Sequence, residues 1–393
     1  MKSSLYIAWR YLVFYKARTL TIVSIVALIA FLPIALSLLM AEAERQLTAR
    51  GESTPLLLGS RGRATDLVLN ALYFRLPPPD PVTMADAASI DTSGLGYAIP
   101  LIVRFRARGF TIVGTTLDYF DLRGLRPSQG RHFAVLGEAV LGAEVSESLK
   151  LKPGDTLVSS PEALFDLAGP YPLKMRIVGV LGAAGTPDDR AIFVDTKTAW
   201  IIQGIGHGHE DLQTTRDQTV ILERQDSNVV ANAKLMEYNE IDRSNLDGFH
   251  FHGNDEDFPL SSLLVVANDA KSEALLRGRY AAKDAGLDAV KPGGVVADLI
   301  ADLVRLQGIV NGAVAFVGLA TLLALLLVFS LSLRLRAREM EMMFRMGCSR
   351  WKIAEVVGAE VAVLLIAGLL SAGAATAILW TLRDSIIQAI VVW

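Results

Sequence analysis

The sequence predicts an α-helical membrane protein that carries a large α+β domain outside the membrane. Hydrophobic residues make up 52% of the 393 residues, and the positive mean hydropathy of +0.39 comes mostly from three apolar stretches, at residues 20–40, 306–333 and 361–382. Each stretch is long enough to cross the hydrocarbon layer, roughly 30 Å thick, as one helix. Short β-rich runs alternate with helical runs between the first two stretches, so this region is expected to fold as a separate domain.

Basic residues next to the apolar stretches predict which side of the membrane each segment faces. Some precede the first stretch and the others lie between the second and third: Lys2, Arg10, Lys16, Arg18, Arg334, Arg336, Arg338, Arg345, Arg350 and Lys352. No acidic residue accompanies the first group. By the positive-inside rule both segments are cytoplasmic, and the large domain is therefore extracytoplasmic.

These observations divide the chain into seven segments. They are an interfacial helix at residues 1–18, the first span at 19–41, the outer domain at 42–304, a stalk and second span at 305–333, a cytoplasmic loop at 334–355, the third span at 356–382 and a short interfacial segment at 383–393. The first helix is expected in the membrane interface because Leu5, Trp9 and Leu12 recur at helical spacing. A cleaved signal peptide is the weaker alternative, since the first apolar run exceeds the roughly 7 to 15 residues of a signal-peptide core.

Turn residues separate the predicted elements of the outer domain. Strands are predicted at residues 99–105, 110–113, 138–141, 174–180, 191–194 and 261–266, and helices at 143–149, 227–239 and 270–284. The helix of the first span is expected to continue into the outer domain and to break at Pro55. The proline-rich residues 76–81 are expected to form an extended connector. Apolar residues from Val295 to Leu303 recur at helical spacing, which predicts a helix that runs directly into the second span.

Several motifs in the outer domain and the cytoplasmic loop resemble those of known permeases. The outer-domain motifs are FTIVGTTLDYF (110–120), GLRPSQGR (124–131), EAVLG (138–142), LKPGDT (151–156), IVGV (177–180) and AIFV (191–194). They resemble the periplasmic core domain of MacB-like permeases. The segment from Arg338-Glu339 to RMGCSRWKI (345–353) resembles the cytoplasmic loop of FtsX-like permeases. Because two separated motifs and the order of spans agree, the resemblance covers most of the chain.

The resemblance implies a permease subunit of a type VII ABC transporter in the bacterial cytoplasmic (inner) membrane, with the MacB/FtsX-like architecture. Such a subunit is not an enzyme: it forms a homodimer and works by mechanotransmission with a separate ABC ATPase, which binds the ATP. These 393 residues contain no GxxxxGK[ST] phosphate loop, which agrees with a separate ATPase. A periplasmic adaptor or a substrate-carrying protein is a further possible partner. The alternative is an FtsX-like regulator that transports nothing and controls a periplasmic partner protein.

The resemblance also assigns the ATPase-docking residues. They are Arg338, Glu339, Met342, Arg345, Gly347, Ser349 and Arg350. Glu339, Met342, Met343 and Met346 recur at helical spacing and are predicted to form an adaptable apolar and acidic face. The open alternative is that the basic residues of this loop only set the membrane orientation.

The third span departs from the family pattern because the family usually has a fourth span after it. Only residues 385–393 follow Arg383-Asp384, so the sequence predicts an outer, interfacial C-terminal segment; either the chain is a natural three-span variant or it is incomplete. Within the third span, Glu360 is a candidate functional carboxylate, but it is expected near the cytoplasmic end, within reach of the interface and of Lys352 or Arg350, so a structural role is favoured.

Two His-x-His pairs, His207/His209 and His250/His252, are the candidate metal ligands. On a strand, this spacing places both imidazoles on one face, which suits a divalent ion such as zinc. Acidic residues follow each pair: Glu210, Asp211, Asp255, Glu256 and Asp257. Whether the two pairs meet is left open by the sequence, and the alternative is two polar loops in which the histidines pack against nearby phenylalanines.

Other functional classes find no support in the sequence. It contains neither GxSxG nor HExxH, and its acidic stretch lacks the spacing of an EF-hand loop. Cys348 is the single cysteine, so the outer domain cannot depend on disulfides. The chain is not basic enough to favour nucleic acid as a partner, and the lipid bilayer is its expected environment.

Overall fold

Two compact units make up the part of the chain that the computed structural model describes, which is residues 2–62, 64–77, 80–161, 172–209, 221–225, 228–231, 238–242, 244–281 and 286–391. The helical unit contains the residues up to Arg45 together with Asp298–Val391. The outer unit is Gln46–Ala297.

Helices and strands are numbered in chain order. The helices are α1 Lys2–Phe14, α2 Lys16–Glu52, α3 Ala64–Tyr73, α4 Met84–Asp91, α5 Leu117–Arg123, α6 Ala143–Leu149, α7 Thr196–Gln203, α8 Ala270–Ala281, α9 Pro292–Leu335, α10 Ala337–Arg345 and α11 Arg350–Val391. The strands are β1 Leu56–Ser60, β2 Val82–Thr83, β3 Gly96–Ala107, β4 Phe110–Thr115, β5 Pro127–Gly130, β6 Glu138–Leu141, β7 Thr156–Val158, β8 Lys174–Leu181, β9 Ala191–Asp195, β10 Gly206–Gly208, β11 Ile221–Gln225, β12 Asn228–Ala231, β13 Phe249–Phe251, β14 Pro259–Leu260, β15 Ser262–Ala267 and β16 Leu287–Val290.

The three apolar stretches are confirmed as long helices. Among the described residues, Lys16–Glu52, Pro292–Leu335 and Arg350–Arg383 are long and apolar enough to cross a membrane. The predicted stalk is confirmed as part of α9, which begins at Pro292 and continues without a break through the apolar stretch. Proline suits this first turn because the amide hydrogen that it lacks would have no partner within the helix.

Within the helical unit, Glu360 is paired with cations from α2 and from the start of α10. Its carboxylate is only 3% exposed and accepts hydrogen bonds from Arg336 Nη1 at 2.8 Å and Arg18 Nη2 at 3.4 Å. The predicted partners were wrong, since Lys352 pairs with Glu355 and Arg350 lies over the ring of Phe344. All three predicted residues are on α11, where eight residues of helix separate Lys352 from Glu360 by about 12 Å.

The first helix contacts the spans rather than only the membrane interface. Leu12 is buried in a small cluster with Ile22 and Leu364. Leu5 and Trp9, by contrast, are more than half exposed. One side of α1 therefore packs against protein, and the other remains available to lipid or water.

One mixed sheet organises the outer unit. Its strand order among the described residues is β16-β1-β15-β3-β4-β9-β6-β8-β5, with β7 added on β8. The long strand β3 joins two halves, because residues 96–101 pair with β15 and residues 102–107 pair with β4. The β4–β9 and β6–β8 pairs are parallel, and the remaining pairs of this sheet are antiparallel. Residues from both halves of the sheet contribute to one hydrophobic core. The predicted α+β class is therefore confirmed.

Most predicted elements of the outer unit are confirmed. The six predicted strands lie within or overlap β3, β4, β6, β8, β9 and β15, and the predicted helix at residues 143–149 coincides with α6. The helix predicted at 227–239 was wrong for residues 228–231, which form β12 opposite β11. Val229 and Val230 favour a strand once a partner strand is present, and local periodicity cannot reveal that partner. Residues 232–237 lie outside the described part, as do 78–79 of the proline connector and 282–284 of the last predicted helix.

A buried ion pair fixes the outer end of α2 to the outer unit. The guanidinium of Arg50 donates to Asp188 Oδ2 at 2.5 Å and Oδ1 at 2.9 Å, and to the hydroxyl of Tyr119 at 3.0 Å. Tyr119 in turn donates to Asp188 Oδ1 at 2.6 Å, and Thr186 donates to Oδ2 at 2.9 Å. Arg50, Asp188 and Tyr119 are 6%, 1% and 0% exposed. No motif in the sequence predicts this network, because its members are up to 138 residues apart in the chain.

Burial and charge act in opposite directions on the carboxyl of this network. Burial alone would raise the pKa of Asp188, but the charge of Arg50 and the hydrogen bonds from Arg50 and Tyr119 lower it overall. Burial, together with the negative charge of Asp188, raises the pKa of Tyr119 to about 12. Asp188 is therefore held as the carboxylate and Tyr119 as the neutral phenol.

Candidate functional site

A two-stranded antiparallel ribbon of β10 and β13 brings the two His-x-His pairs together. The register aligns Gly206 with Phe251, His207 with His250, and Gly208 with Phe249. Side chains alternate between the two faces of a strand, so the imidazoles share one face, and the glycines and phenylalanines share the other. The question that the sequence left open is thereby answered, because the pairs meet.

Two backbone hydrogen bonds extend the ribbon beyond its assigned strands. The amide of His252 donates to the carbonyl of Ile205 at 3.0 Å, and the amide of His209 donates to the carbonyl of Gly248 at 3.4 Å. The outer histidine of each pair is therefore held in the same ladder as the inner one. Gly204, with φ of 84°, ends α7 in the left-handed conformation and turns the chain into β10.

The glycine and phenylalanine face seats the ribbon on the core. A Cβ atom added to Gly206 would lie 2.6 Å from the ring of Phe251, and one added to Gly208 would lie 2.6 Å from the ring of Phe249. Both rings pack against the hydrophobic core, and that of Phe251 lies 6.4 Å from the ring of Trp200. The glycines are required because each lies directly beneath an aromatic ring. The Gly-x-Gly segment therefore fits the Phe-x-Phe segment, and this match between the two segments is a signal for their pairing that is present in the sequence.

The four imidazoles form one cluster. The ring of His207 has its centroid 4.8 Å from those of His250 and His252 and 5.6 Å from that of His209. The ring of His250 lies 4.9 Å from those of His209 and His252. Ligand nitrogens of His207, His209 and His250 all lie within 4.8 Å of one another, and Nε2 of His252 lies 3.5 Å from Nε2 of His207.

The acidic residues near the histidine pairs do not join the cluster among the described residues. Asp255, Glu256 and Asp257 lie on a short exposed 3-10 helix, and the metal-ligand group contains histidines alone. Glu210 and Asp211 lie outside the described residues. Phe249 and Phe251 occupy the opposite face of the ribbon from the imidazoles. The alternative in which the histidines pack against these rings is therefore wrong for His207 and His250. Clustered imidazoles with few other donors can ligate a transition-metal ion.

The predicted docking residues lie on a helix–turn–helix in the helical unit. Within the predicted loop 334–355, α10 is followed by a turn and by the first residues of α11. All seven predicted docking residues are exposed, and Met342 and Met346 are 58% and 77% exposed. Met343, predicted on the same face, is only half-exposed. The exposed part of the predicted face is therefore narrower than the sequence predicted.

Gly347 and Ser349 shape the turn between the two helices. Gly347 has φ of 94°, a conformation that residues with a side chain rarely adopt, and its amide donates to the carbonyl of Phe344 at 3.0 Å. Ser349 precedes α11, and its hydroxyl accepts from the amide of Lys352 at 3.3 Å. The segment that contains Gly347 and Ser349 is thus a defined turn, fixed at both ends by local hydrogen bonds.

The first span and most of the outer unit match a known family. A family model for the MacB-like periplasmic core domain matches residues 19–235, more than half of the chain. The chain belongs to the MacB-like permease family. MacB-like permeases are transmembrane subunits of ABC transporters in the inner membrane, and the predicted family, location and membrane class are confirmed.

Solved structures similar to this MacB-like permease share little sequence with it. The extracellular domain of the noncanonic ABC-type transporter YknZ from Gram-positive bacteria is 15% identical, with a TM-score of 0.32, and the match covers 60% of the chain and 98% of that structure. The periplasmic region of MacB from Actinobacillus actinomycetemcomitans is 12% identical, with a TM-score of 0.33, and the match covers 64% and 94%. No curated protein matches the chain. Membership of the family rests on the family model and not on these structures.

Proposed function

We propose that this MacB-like permease is a non-catalytic subunit of an ABC transporter that works by mechanotransmission. A separate cytoplasmic ATPase docks on α10 and the turn after it, and two copies of the permease form the membrane part. ATP-driven closure of the ATPase moves the helices, and the outer unit acts on a substrate from the periplasm or the membrane.

The observation that carries the proposal is the exposed apolar surface beside charged residues at α10. Met342 on α10, Met346 directly after it and Trp351 at the start of α11 are 58%, 77% and 86% exposed, and Arg338, Glu339 and Arg345 are exposed on α10. Large apolar side chains exposed together mark an interaction surface, and methionine adapts readily to a partner. Local ion pairs, such as Arg345 Nη2 to Glu341 Oε1 at 2.6 Å, keep the helix ordered before a partner binds.

Two helices supply a route for the motion. Both α2 and α9 run without a break through residues of the helical unit and residues of the outer unit. At the outer end of α2, the buried pair of Arg50 and Asp188 holds the helix firmly. A displacement of α2 along its axis would therefore reach the outer unit rather than be lost in a flexible joint.

The test is association of the ATPase with the full chain reconstituted in lipid vesicles. Met342→Glu with Met346→Glu should weaken association with the ATPase at least tenfold, since about 1.4 kcal/mol corresponds to tenfold and charges are costly in an apolar interface. Leu275→Glu is the matched control because Leu275 is 50% exposed on α8 of the outer unit. Equal association of both variants would refute docking at α10.

The regulator that transports nothing shares the docking step but differs in its output. A transporter should move a labelled substrate across or out of the vesicle membrane during hydrolysis. A regulator should instead bind a periplasmic protein and change the activity of that protein, with no substrate moved. The second result would replace transport as the function while leaving the docking assignment intact.

A further inference from the structure

We propose that the histidine face of the β10–β13 ribbon binds a transition-metal ion of the Zn²⁺ class. His207, His209 and His250 hold the ion, and His252 supplies the fourth ligand. Metal binding itself is independent of the function proposed above. The role of the ion as the ligand on which the transporter acts rests on that function.

The donor atoms select the class of ion. The described cluster offers imidazole nitrogens, which suit Zn²⁺ and Cu²⁺, whereas Mg²⁺ and Ca²⁺ prefer oxygen ligands. Four histidines brought together from two chain segments can complete a tetrahedral shell. The ribbon is therefore expected to bind Zn²⁺, with Cu²⁺ as a competitor, and not to bind Mg²⁺ or Ca²⁺.

The spacing of the nitrogens agrees with a tetrahedral ion. Two nitrogens that each lie about 2.0 to 2.1 Å from a zinc ion in a tetrahedral site are about 3.4 Å apart. Nε2 of His252 and Nε2 of His207 are 3.5 Å apart, which already matches one edge of the tetrahedron. The ligand nitrogens of His207, His209 and His250 lie within 4.8 Å of one another, so small rotations of the side chains would close the remaining edges.

The opposite face of the ribbon keeps the ligands in position. Gly206 and Gly208 lie beneath the rings of Phe251 and Phe249, and these rings pack against the core. Because the backbone of the ribbon is fixed from below, the ion does not have to order it on binding. The free energy of binding is therefore not consumed by folding the site.

The exposure of the cluster indicates an exchangeable ion rather than a structural one. His252 is exposed, and His207, His209 and His250 are half-buried. This face is accessible to an incoming ion or to a protein that carries one. The metal is therefore a ligand that the outer unit can take up and release.

The experiment is a zinc titration of the full chain in detergent micelles, purified without a polyhistidine tag and freed of metal with a chelator. Competition with a chromophoric chelator gives the affinity and the stoichiometry. We expect one Zn²⁺ per chain, and His207→Gln with His250→Gln should weaken binding at least about 100-fold, the upper end of what the loss of an outer-shell partner costs. His252→Gln changes an exposed side chain, should leave the fold intact, and should weaken binding about tenfold.

His132→Phe is the matched control. His132 is the one histidine of the sequence outside the two pairs, and its ring lies against that of Phe120, with ring centroids 4.4 Å apart. Both of its ring nitrogens are buried without a hydrogen-bond partner among the described residues, so phenylalanine should fit there. Unchanged zinc affinity of this variant, with X-ray absorption showing three or four imidazoles at about 2.0 to 2.1 Å, would support the site. Absence of binding, or binding equally strong in all variants, would overturn it.

A second measurement separates the metal site from the transport function. ATP hydrolysis by the permease–ATPase complex is measured with and without Zn²⁺, for the natural chain and for His252→Gln. Hydrolysis that responds to Zn²⁺ only when His252 is present would support the ion as the ligand of the transporter. Tight zinc binding without any effect on hydrolysis would overturn that role but leave the site standing. If the natural chain binds Zn²⁺ but does not bind the ATPase, the proposed function is refuted and the metal site is not.

Discussion

Replacing Asp188 with asparagine should destabilise the outer unit by about 3 to 5 kcal/mol. The substitution keeps the shape of the side chain but removes its charge, which leaves the guanidinium of Arg50 buried at 6% exposure without its counter-ion. Removing one partner of a buried ion pair typically costs this much. Three side chains donate to the carboxylate, namely Arg50, Tyr119 and Thr186, and an amide oxygen accepts from them more weakly.

The measurement is pulse proteolysis of the full chain in increasing urea. Glu144→Gln provides the control, because Glu144 also pairs with an arginine, at 3.3 Å from Arg190, but is 43% exposed. That exposed pair should contribute less than about 1 kcal/mol. If Asp188→Asn is no more destabilising than Glu144→Gln, the buried pair does not fix the outer end of α2.

Three further predictions concern pH, the docking turn and the ribbon. The pKa of Asp188 is lowered in the folded protein, so its ion pair contributes its full stability above the ordinary pKa of about 3.9. That stability is lost as the pH falls below this value and through the folded pKa. Acid unfolding of the natural chain should therefore be steeper than that of Asp188→Asn. Gly347→Val should reduce ATPase coupling, since a side chain at φ of 94° costs about 1 to 2 kcal/mol, whereas Gly347→Asn should retain most of it; equal hydrolysis by both variants would count against a role for the turn. Gly206→Ala with Gly208→Ala should weaken zinc binding about tenfold by displacing the phenylalanine rings, while Gly278→Ala, whose Cβ meets open space, should not change it; equal affinities would show that the seat is unimportant.

The sequence predicts the fold well where the signal is local. Apolar length alone places the three long helices, and turn residues place strands such as β6 and β9. Prediction fails where a distant partner decides the outcome. Residues 228–231 form a strand because β11 lies beside them, and the partners of Glu360 come from α2 and from the start of α10.

The candidate site could be predicted only in part for the same reason. The His-x-His spacing predicts a shared face within each pair, but the meeting of His207 with His250 depends on the register between strands that are 40 residues apart in the chain. The complementary glycines and phenylalanines carry that register, since each aromatic ring requires a position without a side chain opposite it. Comparing the two segments with each other, rather than each with a metal-site template, would have aligned them.

The buried pair of Arg50 and Asp188 at the outer end of α2 is best explained by its role in fixing the position of this helix, rather than by its contribution to stability. Well-packed apolar side chains could replace Arg50 and Asp188 at little cost in stability, so stability alone does not account for buried charges. The pair instead fixes one arrangement, because the guanidinium must meet the carboxylate and the hydroxyl of Tyr119 at the same time. One residue further along α2, Gly51 lies so close to α9 that an added Cβ would be 3.0 Å from Val296. The outer ends of α2 and α9 are thus packed against each other, and Arg50 joins α2 to Asp188, which lies just before β9.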